Sequence, residues 1–135
     1  MISEKINTKK LTEDEISKFV LEAGLRIHKT LGPGLLESAY EACLFYELMK
    51  LNLEVKRQVP LALQYEEVFL DCAYKADIIV NDKVIIEIKA VKNLEDLHSA
   101  QLLSYLRISH LKLGLLINFN ETTFIQGFKR IVNGL

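Results

Sequence analysis

Apolar and polar positions recur with two different periods along this 135-residue chain. Ile16, Phe19, Val20, Ala23, Ile27 and Leu31 keep a helical stripe up to the breaker Gly32-Pro33-Gly34. Ahead of it, Thr12-Glu13-Asp14-Glu15 fits a capping box with acids in the first turn. A second helical stretch, about 35–50, turns Leu36, Ala39, Tyr40, Cys43, Leu44 and Leu48 inward and ends near Asn52. The period then drops to two. Strand-like segments cover about 54–63, 68–80 and 84–90, with a turn at Tyr65-Glu66-Glu67 and an irregularity around Ala73 to Lys75. Pro60 has no N–H for a ladder, so its strand is expected at an edge or broken there. Asn93 is expected to cap a third helix, about 94–110, striped by Leu94, Leu97, Leu102, Tyr105, Leu106 and Ser109. The nearly all-apolar run Leu113 to Phe119 reads as a buried strand, and Phe124 to Val132 as a last short element.

The order helix, helix, strand, strand, strand, helix, strand predicts an α/β fold with a mixed four-stranded sheet flanked by helices. Short turns make the first three strands an antiparallel meander, and a strand reached through a helix lies parallel to the third. Residues 1–11 read as a flexible arm carrying Lys5, Lys9 and Lys10, and residues 12–135 as one domain, as the length suggests. The polar start has no signal peptide's apolar run, and no stretch approaches the ~20 apolar residues of a membrane span. Cys43 and Cys72 lack metal-like spacing and read as buried, reduced core residues. The expectation is a soluble, cytoplasmic protein.

Half the residues are apolar and 26% charged, an ordinary globular composition. The net charge of −1 gives no overall field to attract a polyanion, so nucleic-acid binding would need a local patch. Lys50, Lys56, Arg57, Lys92, Arg107, Lys129 and Arg130 are scattered, which suits solvated faces or the rim of a cleft.

Chemistry concentrates between Ala76 and Ala90. Two β-branched runs, Ile78 to Val80 and Val84 to Ile86, flank the turn-forming Asn81-Asp82-Lys83. Into them are set Asp77, Glu87 and Lys89. A three-residue loop pairs Val80 with Val84, leaves Lys83 in solvent and places Asp77 opposite Glu87; a two-residue loop would send Asp77 to the other face. The first register is favoured. It brings the carboxylates' Cβ atoms within roughly 5 Å, with Lys89 on the same face as Glu87. Three readings fit: a solvated strand face with a Glu–Lys pair, a buried ion pair fixing the register, or a metal site with a lysine beside it. The apolar neighbours favour the last. A divalent ion with a lysine suits phosphodiester hydrolysis, the ion lowering the pKa of a bound water and the lysine orienting it or offsetting developing charge.

Other candidates are weaker. His28, near the end of the first helix, suits a C-terminal cap more than catalysis. Glu37, in the first turn of the second helix, is read equally as a dipole partner or as a rim residue of the charged patch. Glu95-x-x-His98 has di-iron spacing but lacks the matching helix such sites need.

Ala76-Asp77 followed by Glu87-Ile88-Lys89 resembles the PD-(D/E)xK signature of a nuclease superfamily, whose core of a helix, three strands, a helix and a strand matches the order above. Gly34-Leu35-Leu36-Glu37-Ser38-Ala39-Tyr40 fits the G-x-x-E-x-x-Y string that names the GxxExxY protein family, a branch of it. Residues 28–34, Arg57-Gln58-Val59-Pro60, 101–106 and 113–120 also resemble that family, so the likeness spans about residues 16–133. It implies a restriction-endonuclease-like fold and a Mg²⁺- or Mn²⁺-dependent nuclease acting on DNA. On that likeness Asp77 and Glu87 would hold the metal and Lys89 would position or activate the water. Glu37 would add the first-helix acid to the metal site, and Gln101 would support the site with Tyr105 one turn on. Ala76 stands where the signature has proline, which shapes the backbone and supplies no catalytic atom. Some superfamily members keep the fold without cutting, so the alternative is a silent nucleic-acid-binding or partner-binding module. A protein partner or homodimer is open in either case.

Overall fold

Thr12 opens the first helix as expected: its hydroxyl accepts from Glu15 N–H at 3.2 Å, and its own N–H donates to the Glu15 carboxylate at 3.1 Å. The computed structural model describes residues 10–135, and of Cys72 and Ala73 the backbone alone. The predicted arm therefore lies almost wholly outside the described residues, as does the expectation for the Cys72 side chain. Leu11, placed at its end, is instead buried in the core. Its carbonyl accepts from Lys83 Nζ at 2.6 Å, so Lys83 does not stand in open solvent.

Helix α1 spans Glu13–Leu31 and α2 Glu37–Met49. Between them Gly32 and Gly34 take φ of +67° and +104°, the left-handed region that glycine enters without strain. Tyr40 fastens this turn, donating from its hydroxyl to Gly32 O at 2.5 Å and accepting from Leu35 N–H at 3.1 Å. Strands follow at β1 (Val55–Tyr65), β2 (Val68–Val80) and β3 (Val84–Lys89), then α3 (Asp96–Ser109), β4 (Leu113–Asn118) and β5 (Phe128–Val132). The sheet order is β1-β2-β3-β4-β5, with only β3 and β4 parallel. The mixed α/β architecture is the expected one, but the described residues form five strands where four were predicted. The last short element supplies β5, whose outward Lys129 and Arg130 and uneven burial hide it from a period-two search.

Pro60 lies on the edge strand β1, as its missing N–H requires. The β1–β2 irregularity falls where the register shifts from Leu61↔Tyr74 to Leu63↔Leu70. Asn93 does not cap α3. Glu95 does, in a reciprocal box whose Glu95 N–H donates to His98 Nδ1 at 2.9 Å; the Glu95-x-x-His98 pair is a helix start. Val80 pairs with Val84, Ile79 with Ile85 and Ile78 with Ile86, so the three-residue loop and its register hold. Helices α1 and α2 cover one sheet face through Ile16, Val20, Tyr40 and Leu44 against Ile78, Ile86 and Ile88. Helix α3 covers the other through Leu102, Tyr105 and Leu106 against Ala76, Ile79 and Ile85. Leu97 and Leu36, expected inward, are 74% and 77% exposed because each sits at the first turn of its helix, short of the sheet. Among the described residues no helix is long and apolar enough to cross a membrane.

Candidate active site

Strands β2 and β3 part company one step beyond Ile78↔Ile86. Outside this point β2 still pairs with β1 and β3 still pairs with β4 as far as Lys89↔Asn118. A fork opens between them, with backbone N–H groups that a ladder no longer satisfies. Asp77 N–H donates to Glu87 Oε2 at 2.7 Å, and Ile88 N–H donates to Asp77 Oδ2 at 2.8 Å. Each acid thus takes the place of a carbonyl on the opposite strand.

Gln58 lies opposite Asp77 in the β1–β2 register, between the pairs Arg57↔Ile78 and Val59↔Ala76. Its φ is +49°, a left-handed conformation that costs a non-glycine residue about 1–2 kcal/mol. At this kink the inward side changes: Ile78 packs toward α1 and α2, whereas Ala76 packs toward α3. The kink also lets consecutive side chains reach one acid. Gln58 Nε2 donates to Glu41 Oε1 at 2.7 Å and to Asp77 Oδ1 at 3.3 Å. Arg57 donates to Glu41 Oε2 through Nε at 3.0 Å, and its Nη2 lies 2.9 Å from the same oxygen.

Burial first, and then the Asp77 charge beside it, push the Glu87 carboxyl up to about 8. Asp77 is also pushed up, by burial first and by the Glu41 charge, against the pull of its bond from Ile88. Lys89 follows Glu87 by two residues on β3, and its charge favours ionisation of both acids. Among the described residues no carboxylate lies within ion-pair distance of its ammonium, and Glu87 is only 5% exposed. The solvated-face and fixed-ion-pair readings therefore do not describe this site.

The structure brings Asp77, Glu87 and Lys89 together. Glu37 is exposed at the start of α2, and the acid whose charge acts on the pair is Glu41, one turn on. Sequence reasoning missed Glu41, although an acid beside Tyr40 on the buried arc of α2 is a signal in itself. Gln101 is exposed on α3, one turn before the buried Tyr105, whose hydroxyl is pushed up by burial first and then by Glu87 and Asp77. His28 does not cap α1: its Nε2 lies 2.8 Å from Glu121 O, tying the helix to the loop after β4. Cys43 is half-buried against the core and free.

Among the described residues no three His, Cys, Asp or Glu side chains cluster to hold a metal, so Asp77, Glu87 and Glu37 do not form one ligand set. The Asp77–Glu87 pair by itself fits a hard divalent ion: its donors are oxygens, and both acids resist ionisation, by burial first and then by neighbouring carboxylate charge that Lys89 only partly offsets. Nucleases of the PD-(D/E)XK superfamily generally use such ions.

No curated protein and no solved structure gives a significant match. A family model described as the PD-(D/E)XK nuclease superfamily matches residues 14–131. With that span covering most of the chain, from the capping box of α1 to β5, the protein belongs to the PD-(D/E)XK nuclease superfamily.

Proposed function

We propose that this protein is a metal-dependent phosphodiesterase acting on DNA, of the GxxExxY branch of its superfamily. The observation that carries the reading is the pair of half-buried Asp77 and buried Glu87 at a strand fork, held by backbone N–H bonds at 2.7 and 2.8 Å. Those bonds use one oxygen of each acid; the other oxygen of Asp77 takes a long bond from Gln58 at 3.3 Å, which a metal ion would displace. Asp77 and Glu87 hold the ion, Mg²⁺ or Mn²⁺. When bound, it polarises a phosphoryl oxygen and lowers the pKa of a water. Lys89 offers only donors, so it is no ligand; it orients the water or offsets charge on the phosphoryl oxygens. Glu41, held by Arg57 and Gln58, acts on the pair through its charge and not as a further ligand, where the G-x-x-E-x-x-Y string pointed to Glu37. Glu37 and Gln101, both exposed, would be free to meet the DNA strand and do not act as ligands.

One observation favours a second reading, a silent nucleic-acid-binding or partner-binding module. Both Glu41 oxygens are already engaged, by Gln58 and by Arg57, which leaves two acids rather than three for a metal. The deciding experiment incubates the purified protein with linear, nicked, branched and circular DNA in Mg²⁺, in Mn²⁺ and with a chelator. Metal-dependent cleavage that Glu87→Gln abolishes supports the nuclease. Tight DNA binding with no cleavage in either metal supports the module.

A further inference from the structure

Beyond the fork, on the α3 side of the sheet, a groove of about 430 Å³ runs between the β1–β2 hairpin and α3. Its walls include Leu63 and Tyr74 from the hairpin and Gln101, Tyr105, Arg107 and Ile108 from the helix. Tyr74 is 41% exposed, and its ring lies 5.8 Å from that of Tyr105 at 49°. Tyr105 links the groove to the pair, since it packs in the same cluster as Ala76, the residue before Asp77. Tyr74 stands three residues before Asp77 on β2, roughly 10 Å along an extended strand.

We propose that this groove is a stacking subsite for an unpaired nucleobase of a DNA strand whose neighbouring phosphate lies at the Asp77–Glu87 pair. The inference rests on the nuclease reading and names its substrate class: strands with single-stranded character near the cut. Two observations and one property of DNA carry it. The groove is apolar with a few polar groups at its rim, the composition of a small-ligand site, and its size suits one. Tyr74 offers a ring that the protein leaves partly uncovered, as a stacking platform requires. A base inside a duplex is covered on both faces, so only an unpaired one can meet that ring.

Charge points the same way. Lys50, Lys56, Arg57 and Arg130 are held in ion pairs with Glu47, Asp82, Glu41 and Asp14. Arg107, at the groove's wall, makes no ion pair among the described residues. With net charge −1, a grip spread over many phosphates is weak, and stacking supplies affinity that electrostatics does not.

The test uses the full chain in Ca²⁺ and a short single-stranded DNA carrying a fluorescent adenine analogue. Binding should quench the analogue in wild type and in Tyr74→Phe. In Tyr74→Leu the quench should vanish and Kd should rise about tenfold, the loss of one base stack. Replacing the base near the cut by an abasic site should weaken wild-type binding by a similar factor and Tyr74→Leu binding hardly at all. The abasic comparison on wild type stands even where Tyr74→Leu fails to fold. Equal wild-type affinity for intact and abasic strands, with cleavage retained in Mg²⁺, overturns the subsite and leaves the nuclease standing. Neither binding nor cleavage of any DNA in any metal removes both.

Discussion

Asp77 and Glu87 lie across the fork of β2 and β3 and hydrogen-bond each other's strands, Asp77 N–H to Glu87 at 2.7 Å and Ile88 N–H to Asp77 at 2.8 Å. The bonds hold the acids in place without neutralising them. Glu87, pushed up to about 8 by burial and by Asp77, keeps its proton in the folded chain where the unfolded chain has lost it. Between about pH 4.5 and 8 the folded state therefore binds more protons than the unfolded one, and stability falls as pH rises. Urea melts of the metal-free protein should show a stability maximum at or below about pH 5 and a loss of a few kcal/mol by pH 8. Glu87→Gln should flatten that slope. A metal-free profile that rises from pH 5 to 8 would contradict the electrostatics of the site.

A divalent ion reverses the trend, because it binds the ionised pair in the folded chain alone. Metal at 100 times its dissociation constant should add about 2.7 kcal/mol. Asp77→Asn keeps an oxygen for Ile88 N–H and removes a charge. It should raise the metal-free melting temperature at pH 8 and abolish most of the gain from Mn²⁺. Thermal melts with millimolar Mn²⁺ and with chelator measure both effects, and an unchanged wild-type melting temperature would argue against a metal there.

Gln58 makes a prediction against the usual order of substitutions. In a regular strand glycine is worse than alanine, but at φ +49° alanine carries the left-handed penalty and glycine does not. Both changes remove the amide that joins Glu41 to Asp77. Gln58→Gly should therefore be more stable than Gln58→Ala by about 1 kcal/mol in urea melts. The opposite order would mean that the strand relaxes to an extended conformation once the amide is gone.

How much of this site was readable from sequence depends on the range of the interactions. The register of Asp77 and Glu87 was readable because β-branched runs on both sides of a three-residue turn leave one pairing that buries both. The fork was not, since it arises where β1 and β4 pull β2 and β3 apart. Nothing local asks Gln58 to be left-handed; its bonds to Glu41, 17 residues away, impose that. Glu37 drew notice through its motif and Glu41 did not, although only Glu41 lies on the buried arc of α2. The start of α3 was misplaced because asparagine is a common cap, while a glutamate–histidine box is a rare one.

Tyr40, the last residue of the G-x-x-E-x-x-Y string, has a structural role. Its ring stacks on Phe119 at 4.4 Å and its hydroxyl bridges Gly32 O and Leu35 N–H. Tyr40→Phe keeps the stack and leaves two backbone groups without that partner. A loss of about 1–3 kcal/mol in urea melts is expected, with metal-dependent stabilisation unchanged. A variant that folds as stably as wild type but no longer responds to metal would assign the hydroxyl to the site instead.

Lys89 separates chemistry from architecture. A structural partner of Glu87 would sit within ion-pair distance, and its removal would leave a buried charge uncompensated, at roughly 3–5 kcal/mol. Its ammonium makes no such pair among the described residues, yet its charge still favours the ionised acids. Lys89→Met should therefore cost little stability at pH 5, where Glu87 is protonated, and more at pH 8. Mn²⁺ should still stabilise the variant, since lysine is no ligand. Single-strand affinity should also persist, while the cleavage rate falls ~10²- to 10³-fold, as for the loss of one electrostatic donor. Melting temperature, Mn²⁺ response and cleavage rate on this one variant decide the matter. Cleavage at the wild-type rate would remove Lys89 from the chemistry, and a large drop in melting temperature at pH 5 would make it a structural residue.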